Sequence, residues 1–108
     1  QVLPLSWYVF VQYDESPALS LCVYAEEHTN ALADKLLSSD PAVKFAIVVN
    51  MRGMKVSIRS CSDEYDCSKL ARMCSSLGGG HKRAAGFPIS DQMLSDLYNV
   101  IDRIDLDE

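Results

Sequence analysis

Six consecutive residues carry the clearest chemical potential in this sequence. They are, in order, Gly78, Gly79, Gly80, His81, Lys82 and Arg83. A glycine backbone can adopt positive φ and leaves its N–H groups uncovered, so successive amides can converge on an anion. A histidine and two cations beside such a loop add proton-donating and positive groups. The segment therefore favours a phosphate site, while the alternative is a glycine stretch that only ends a helix.

The three side chains after the glycines have distinct expected roles. His81 can donate a hydrogen bond to a phosphate or ribose hydroxyl, or stack on a base. Lys82 and Arg83 provide sequence-independent attraction for an anionic ligand. For Arg83 an exposed ion pair, which contributes only ~0–1 kcal/mol, is the alternative.

A second polar group precedes the glycines in sequence. Residues 55–60 alternate in polarity, so Ser57 and Arg59 share the face opposite the core. The guanidinium of Arg59 can bind phosphate with two parallel hydrogen bonds. A solvated ion pair with Asp63 or the glutamate after it is the alternative. Ser57 and Ser60 can orient Arg59 or contact the phosphate themselves.

The elements that must position these residues follow from hydrophobic periodicity and capping signals. The patterns predict strands over 7–12, 45–49 and 55–60, helices over 30–38, 67–77 and 91–104, and a short edge strand over 87–89. Residues 18–25 can be strand or helix. Asp66 and Ser90 are expected to cap helices, and Gly53 to occupy a positive-φ turn. The order predicts one α/β domain over residues 1–108, with two layers, a mixed sheet and about three helices.

Four aromatic residues are assigned to the core rather than to a surface on which bases stack. They are Trp7, Tyr8, Phe10 and Phe45. In the same way, the spacing of Cys67, Leu70, Cys74 and Leu77 predicts one buried helical stripe.

Composition narrows the possible partners. The 108 residues are 48% hydrophobic, which suits a single domain with its own core. The net charge is −5, but residues 52–83 carry seven cations against three acids. A positive segment within an acidic domain favours a short anionic ligand over a long duplex.

The cysteines and the apolar stretches indicate a compartment. The four cysteines lack the short spacing of a zinc knuckle, so free thiols in a reducing, intracellular and cytoplasmic setting are expected. No apolar stretch approaches the ~18 residues of a membrane span, so we expect no membrane partner. Because the chain begins at Gln1 rather than Met, a longer parent protein is expected.

Two paired motifs resemble those of a known family. The strand residues Ser57, Arg59 and Ser60, followed by a helix and then by Gly-Gly-Gly-His-Lys-Arg-Ala-Ala-Gly over 78–86, resemble the DHHA1 domain, the C-terminal substrate-binding domain of DHH-family phosphoesterases. The resemblance implies a DHHA1-like fold in which these residues hold the phosphate or nucleotide of a substrate. It also implies a separate catalytic domain, whose Asp-His-His motif binds two manganese ions.

The resemblance also implies a range of activities for the parent protein. Members of the group include RecJ-type exonucleases, oligoribonucleases, cyclic dinucleotide phosphodiesterases and phosphatases of nucleotide bisphosphates. This chain has no Asp-His-His motif and only two histidines, His28 and His81. We therefore expect no catalytic residue, metal or cofactor in this chain. The expected partners are short single-stranded RNA or DNA, or nucleotides, and the DHH catalytic domain.

Two other functions stay open from the sequence. The C-terminal domain of alanyl-tRNA synthetases is similar in fold and serves tRNA binding and dimerisation, but its glycine motif normally lacks this continuation. The other is a non-catalytic interaction domain with a vestigial site.

Overall fold

The computed structural model describes residues 5–93 and residue 95, which form one six-stranded sheet with helices packed on it. The elements in chain order are β1 (Ser6–Tyr13), β2 (Ser16–Tyr24), α1 (Thr29–Ser39), β3 (Phe45–Asn50), β4 (Lys55–Ser60), α2 (Cys67–Cys74), β5 (Gly79–Gly80) and β6 (Ala84–Pro88).

The strand order across the sheet is β1-β2-β3-β4-β6-β5. Strands β2 and β3 are parallel, and α1 makes the crossover that a parallel pair needs. The other neighbouring pairs are antiparallel. The predicted α/β class and mixed sheet are confirmed, and the undecided segment 18–25 lies largely in strand β2.

The two helices cover opposite faces of the sheet. Strand β3 alternates between two cores: Phe45 packs with Leu70 of α2, whereas Ala46 packs with Leu36 of α1. Since successive strand side chains point to opposite faces, α1 and α2 lie on different sides. The described part of the fold is therefore helix, sheet, helix, which differs from the expected two layers. We call the two sides the α1 face and the α2 face.

Helix α2 begins at the predicted cap and ends early. The Asp66 carboxylate accepts hydrogen bonds from the backbone N–H groups of Ser68 and Lys69. The Ser68 hydroxyl also donates to this carboxylate, and this bond lowers the pKa of Asp66. The helix ends at Cys74 rather than at residue 77. Leu77 is 70% exposed and Cys74 is exposed as well, so the assignment of these two residues to the buried stripe was wrong.

The turn between β3 and β4 takes an unexpected backbone conformation. Met54, not Gly53, has the positive φ, of 54°. The Gly53 amide donates to the Asn50 side chain at 2.7 Å, and a β-carbon on Gly53 would lie 2.9 Å from that side chain. A β-carbon on Gly53 would therefore crowd the end of the Asn50 side chain, and the predicted positive φ at this glycine was wrong.

Strand β6 lies inside the sheet, between β4 and β5, rather than at an edge. Pro88 is tolerated there because it is the last residue of the strand, opposite Lys55 and beyond the end of the two-residue β5. The prediction of an edge strand at 87–89 was wrong for this reason.

The aromatic residues of β1 are not core residues. Phe45 is fully buried, but Trp7, Tyr8 and Phe10 are 36%, 56% and 70% exposed. β1 is an edge strand, and the two helices pack mainly over the other strands. Only the assignment of Phe45 to the core is confirmed.

The predicted C-terminal helix over 91–104 lies largely outside the described residues. Its start is described: residues 91–93 are helical, and the Ser90 hydroxyl accepts a hydrogen bond from the Met93 amide at 3.2 Å. The predicted cap at Ser90 is confirmed.

Candidate functional site

An open cavity of about 580 Å³ lies along β4 and β6 at the end of the sheet near β5. We call it the trough. Its lining residues include Asn30, Gly53, Met54, Lys55, Ser57, Arg59, Gly79, Ala84, Gly86, Phe87 and Pro88. Because Ser57 and Arg59 lie on the α1 face, the trough is on that side of the sheet.

Small residues form the floor of the trough and leave its backbone accessible. Ser57 lies opposite Gly86 and Arg59 lies opposite Ala84 in the pairing of β4 with β6. Across the next pair, Gly79 lies opposite Gly86. Cross-strand partners share a face, so a row with almost no side-chain volume crosses the three strands beside Arg59. A ligand on this floor can approach the backbone closely.

Arg59 is the central charged group of the trough. Its side chain is 28% exposed, and its Nη1 donates to the Asp34 Oδ1 of helix α1 at 3.2 Å. The ion-pair partner is thus on α1, and not Asp63, which pairs instead with Arg83 at 3.7 Å. A guanidinium has five N–H donors, so the bond to Asp34 leaves others for an anion.

Gly78, Gly79 and Gly80 differ in backbone conformation and in the space around them. A β-carbon on Gly78 would lie 2.2 Å from the Ala71 carbonyl oxygen, and the Gly78 amide donates to Ser75. Gly78 therefore allows the chain to cross the end of α2. Gly80 has φ of 139°, where other residues are strained. By contrast, a β-carbon on Gly79 would have no neighbouring atom within 4 Å among the described residues.

The hydrogen bonds between β5 and β6 determine which of the glycine amides remain unpaired at the edge of the sheet. The His81 amide donates to the Ala84 carbonyl at 2.8 Å, and the Ala84 amide donates back to His81 at 3.3 Å. Bonded and non-bonded pairs alternate in an antiparallel ladder, so Gly79 and Gly86 form the next bonded pair. The Gly80 amide is left directed away from β6, at the open edge of β5. The expected set of three converging amides is thus reduced to Gly80 at this edge.

The loop tip is built from His81, Lys82 and Arg83, and its backbone is fixed from two sides. The Lys82 carbonyl accepts a hydrogen bond from the Cys67 amide, at the start of α2, at 2.7 Å. The Arg83 carbonyl accepts one from the Ser60 amide at 3.2 Å. Within the described residues, the side chains of His81 and Lys82 make no hydrogen bond or ion pair. These two side chains are therefore open to a ligand.

Ser60 is separated from Ser57 and Arg59 by the sheet. It is buried, and its hydroxyl lies within hydrogen-bond distance of the carbonyls of Ser62 and Lys82, at 3.1 and 3.4 Å. It thus supports the loop tip from the α2 face. Of the residues expected to form the site, Ser57, Arg59 and Gly79 meet in the trough. The loop tip lies about 10 Å from Arg59, two strand spacings away.

The sequence did not assign to the site two residues that line the trough, Lys55 and Asn30, or the ion-pair partner of Arg59, Asp34. Lys55 lies two residues before Ser57, so the same alternation could have placed it on the α1 face. Asn30 and Asp34 come from helix α1, and no sequence signal links them to Arg59, which follows Asp34 by 25 residues. Their proximity depends on the crossover between β2 and β3.

The positive charge of residues 52–83 is divided between the two faces. Lys55 and Arg59 line the trough, whereas Lys69 and Arg72 lie on helix α2 on the other side. Lys69 is bonded to Asp14. The positive field at the trough is therefore weaker than the segment's charge of +4 implies, and short-range contacts to Arg59 carry more of any binding.

The four cysteines are free thiols. Burial raises the pKa of Cys22 and Cys67, and desolvation by neighbouring groups raises the pKa of the exposed Cys74, which keeps these thiols protonated at neutral pH. Over residues 5–93, no three His, Cys, Asp or Glu side chains are grouped so that they could hold a metal ion. Among the same residues, no helix is long and apolar enough to cross a membrane.

The DHHA1 domain family model matches residues 21–105, so the chain belongs to the DHHA1 domain family. This places it among the relatives of DHH-family phosphoesterases and confirms the resemblance read from the two motifs. Over 71 residues the chain is 31% identical to oligoribonuclease NrnB of Bacillus subtilis (strain 168). That match covers 66% of this chain but only 17% of the length of NrnB.

Two solved structures share the fold of this chain. An uncharacterized protein from Helicobacter pylori G27 is 32% identical, with a TM-score of 0.59 over 68% of this chain and 21% of its own. An exopolyphosphatase-related protein from Bacteroides fragilis has a TM-score of 0.50 at 19% identity, over 80% of this chain and 28% of its own. The second likeness concerns the fold alone.

Proposed function

We propose that this domain binds the phosphate groups of short single-stranded oligonucleotides or nucleotides and holds them for a DHH catalytic domain of the same parent protein. The observation that carries the proposal is the position of the Arg59 side chain, which lies beside the small residues Ser57, Ala84 and Gly86 of the trough floor. The match to an oligoribonuclease supports an oligonucleotide as the ligand.

The proposed binding uses three kinds of contact. Arg59 donates parallel hydrogen bonds to two phosphate oxygens, which fixes the orientation of the phosphate as well as its position. Lys55 and Ser57 add a positive charge and a hydroxyl along the same strand. The row of small residues next to Arg59 lets the phosphate or sugar approach the backbone. This arrangement is suited to one or two nucleotides rather than to a long strand.

The loop tip supplies a second contact region. His81 bonds a neighbouring phosphate or stacks on a base, while Lys82 attracts the strand electrostatically. Since the loop tip lies about 10 Å from Arg59, one short strand can span both regions. Arg83 is partly committed to Asp63 and to the Ser60 carbonyl, so it contributes mainly by holding the loop.

Hydrolysis in this proposal belongs to the catalytic domain of the parent. Two manganese ions in that domain would activate water and stabilise the charge on the phosphate. The residues of this chain bind and orient the substrate. A reducing, cytoplasmic location suits the four free thiols and is part of the same proposal.

The experiment that tests the proposal is an NMR titration of the 108-residue chain with a short 5′-phosphorylated single-stranded RNA at low and moderate salt. We expect shifts in the amides of Ser57, Arg59, Gly80 and His81. Arg59→Ala should weaken binding at least tenfold, since a charge-assisted bond contributes about 1.5–3 kcal/mol. Arg72→Ala is the matched control, because it removes one cation from the α2 face and should leave binding nearly unchanged.

Two outcomes would contradict the proposal. One is a folded wild-type chain that shows no shifts in the trough or at the loop tip. The other is equal loss of affinity for the Arg59 and Arg72 variants, which would indicate only general electrostatic attraction.

A further inference from the structure

Asp34 is an exposed carboxylate on helix α1 that contacts Arg59, a residue of the trough. Its Oδ1 lies 3.2 Å from the Nη1 of Arg59, and its side chain is 64% exposed. The Arg59 side chain is only 28% exposed, so the carboxylate is the more open member of the pair. A ligand that reaches Arg59 therefore also meets Asp34.

The negative charge of Asp34 is unfavourable for a ligand that offers only phosphate. Like charges repel, and an ionised carboxylate is a hydrogen-bond acceptor without any donor. A ligand that also offers a hydroxyl turns this repulsion into a hydrogen bond. Asp34 thus distinguishes a bare phosphate from a phosphate with a neighbouring hydroxyl.

Helix α1 brings a second polar side chain close to Asp34. Asn30 lies one helical turn before Asp34, with about 5–6 Å between β-carbons, and it lines the trough. Its amide both donates and accepts hydrogen bonds. Two polar side chains at this spacing on α1 suit the hydroxyl-bearing edge of a sugar better than the apolar face of a base.

We propose that Asp34 is a specificity-determining residue that selects ribonucleotides over deoxyribonucleotides. Asp34 accepts a hydrogen bond from the ribose 2′-hydroxyl while Arg59 holds the adjacent phosphate. A carboxylate is well suited to this task, and the 2′-hydroxyl is the group that separates RNA from DNA. The inference rests on the proposed phosphate binding and adds the identity of the sugar.

The test is to measure dissociation constants of the 108-residue chain for matched 5′-phosphorylated RNA and DNA trinucleotides. We expect the wild type to prefer RNA about tenfold, as one hydrogen bond to a charged group allows. Asp34→Ala should remove the preference. Asp34→Asn keeps an acceptor but loses the charge, so it should bind both trinucleotides more tightly and retain part of the preference.

Asp14→Asn is the matched control. It removes one exposed carboxylate from an ion pair with Lys69 of α2, away from the trough. We expect it to leave the ratio of RNA to DNA affinity unchanged. Heteronuclear NMR spectra of each variant confirm that the fold is retained.

The possible failures separate the two proposals. Equal binding of RNA and DNA that still depends on Arg59 would overturn the role of Asp34 and leave the phosphate site standing. A preference for RNA that persists in Asp34→Ala would overturn it as well. If the folded wild-type chain binds neither trinucleotide, both proposals are wrong.

Discussion

Ser60 and Arg83 are hydrogen-bonded in both directions. The Ser60 amide donates to the Arg83 carbonyl, and the Arg83 Nε donates to the Ser60 carbonyl, both at 3.2 Å. This double link ties the end of β4 to the start of the hairpin strand β6. The long side chain of Arg83 therefore holds the loop tip from which His81 and Lys82 extend.

We expect Arg83→Ala to lower the free energy of unfolding by about 1 kcal/mol, because one hydrogen bond to a charged group is lost at a partly exposed position. Asp63→Asn removes only the ion-pair partner of Arg83 and should change stability by less than about 0.5 kcal/mol. Urea denaturation measures both. Equal effects would mean that the bond to Ser60 contributes nothing.

Gly79 and Gly80 should respond very differently to substitution. Gly80→Ala places a β-carbon 2.6 Å from the Ala85 Cα at a φ of 139°, and we expect a loss of more than about 2 kcal/mol. Gly79→Ala meets open space and should change stability by less than about 0.5 kcal/mol. Thermal and urea unfolding of the two variants check this.

The same pair tests the trough. Gly79→Ala adds a methyl group beside the floor, so a stable variant with weaker binding of the RNA trinucleotide is expected. Unchanged affinity in that variant would show that the ligand does not reach β5.

Acid should destabilise the domain through Asp66. Its pKa is lowered in the folded state, chiefly by the Ser68 hydroxyl, so its contribution to stability is complete above the ordinary carboxyl value of about 3.9. That contribution is lost as the pH falls through the lower folded-state pKa. Asn can also cap a helix but does not titrate there.

As the pH falls from 5 to about 3, the free energy of unfolding should therefore decrease less in the Asp66→Asn variant than in the wild type. The measurement is the free energy of unfolding by urea at several pH values. Parallel curves for the two proteins would show that this carboxylate is not responsible.

Phe45 and Phe10 offer a contrast in burial. Phe45 is fully buried and makes edge-on contacts with the rings of Tyr13 and Tyr65, with ring centroids 5.5 and 5.7 Å apart. Phe45→Ala should cost about 3–5 kcal/mol. Phe10 is 70% exposed, so Phe10→Ala should cost less than about 1 kcal/mol. Similar losses would place Phe10 in a core after all.

Local signals predicted much of the framework that surrounds the site. The alternation of β4 correctly placed Ser57 and Arg59 on one face, and the caps at Asp66 and Ser90 were recognised from single side chains. These features depend on residues close in sequence. The paired motifs also identified the family, since glycine, histidine and small residues at those spacings are specific.

Features that depend on distant contacts were missed. Strand β6 is rich in alanine and glycine, which disfavour strands in isolation, and its central position comes from packing against β4 and α2. The ion pair of Arg59 with Asp34 follows from the position of α1 above the sheet. Burial of the aromatic residues in β1 was overestimated because strand pattern does not reveal which strand lies at an edge.

The two edges of the sheet are unlike each other. β1 is eight residues long and carries the exposed aromatic side chains of Trp7, Tyr8 and Phe10, whereas β5 has only two residues. The two edges are five strand spacings, or about 24 Å, apart. Another polypeptide chain that pairs with β1 would therefore extend the sheet away from the trough. Under the proposed function, the domain can be attached to a neighbour along one side while a nucleotide enters and leaves on the other.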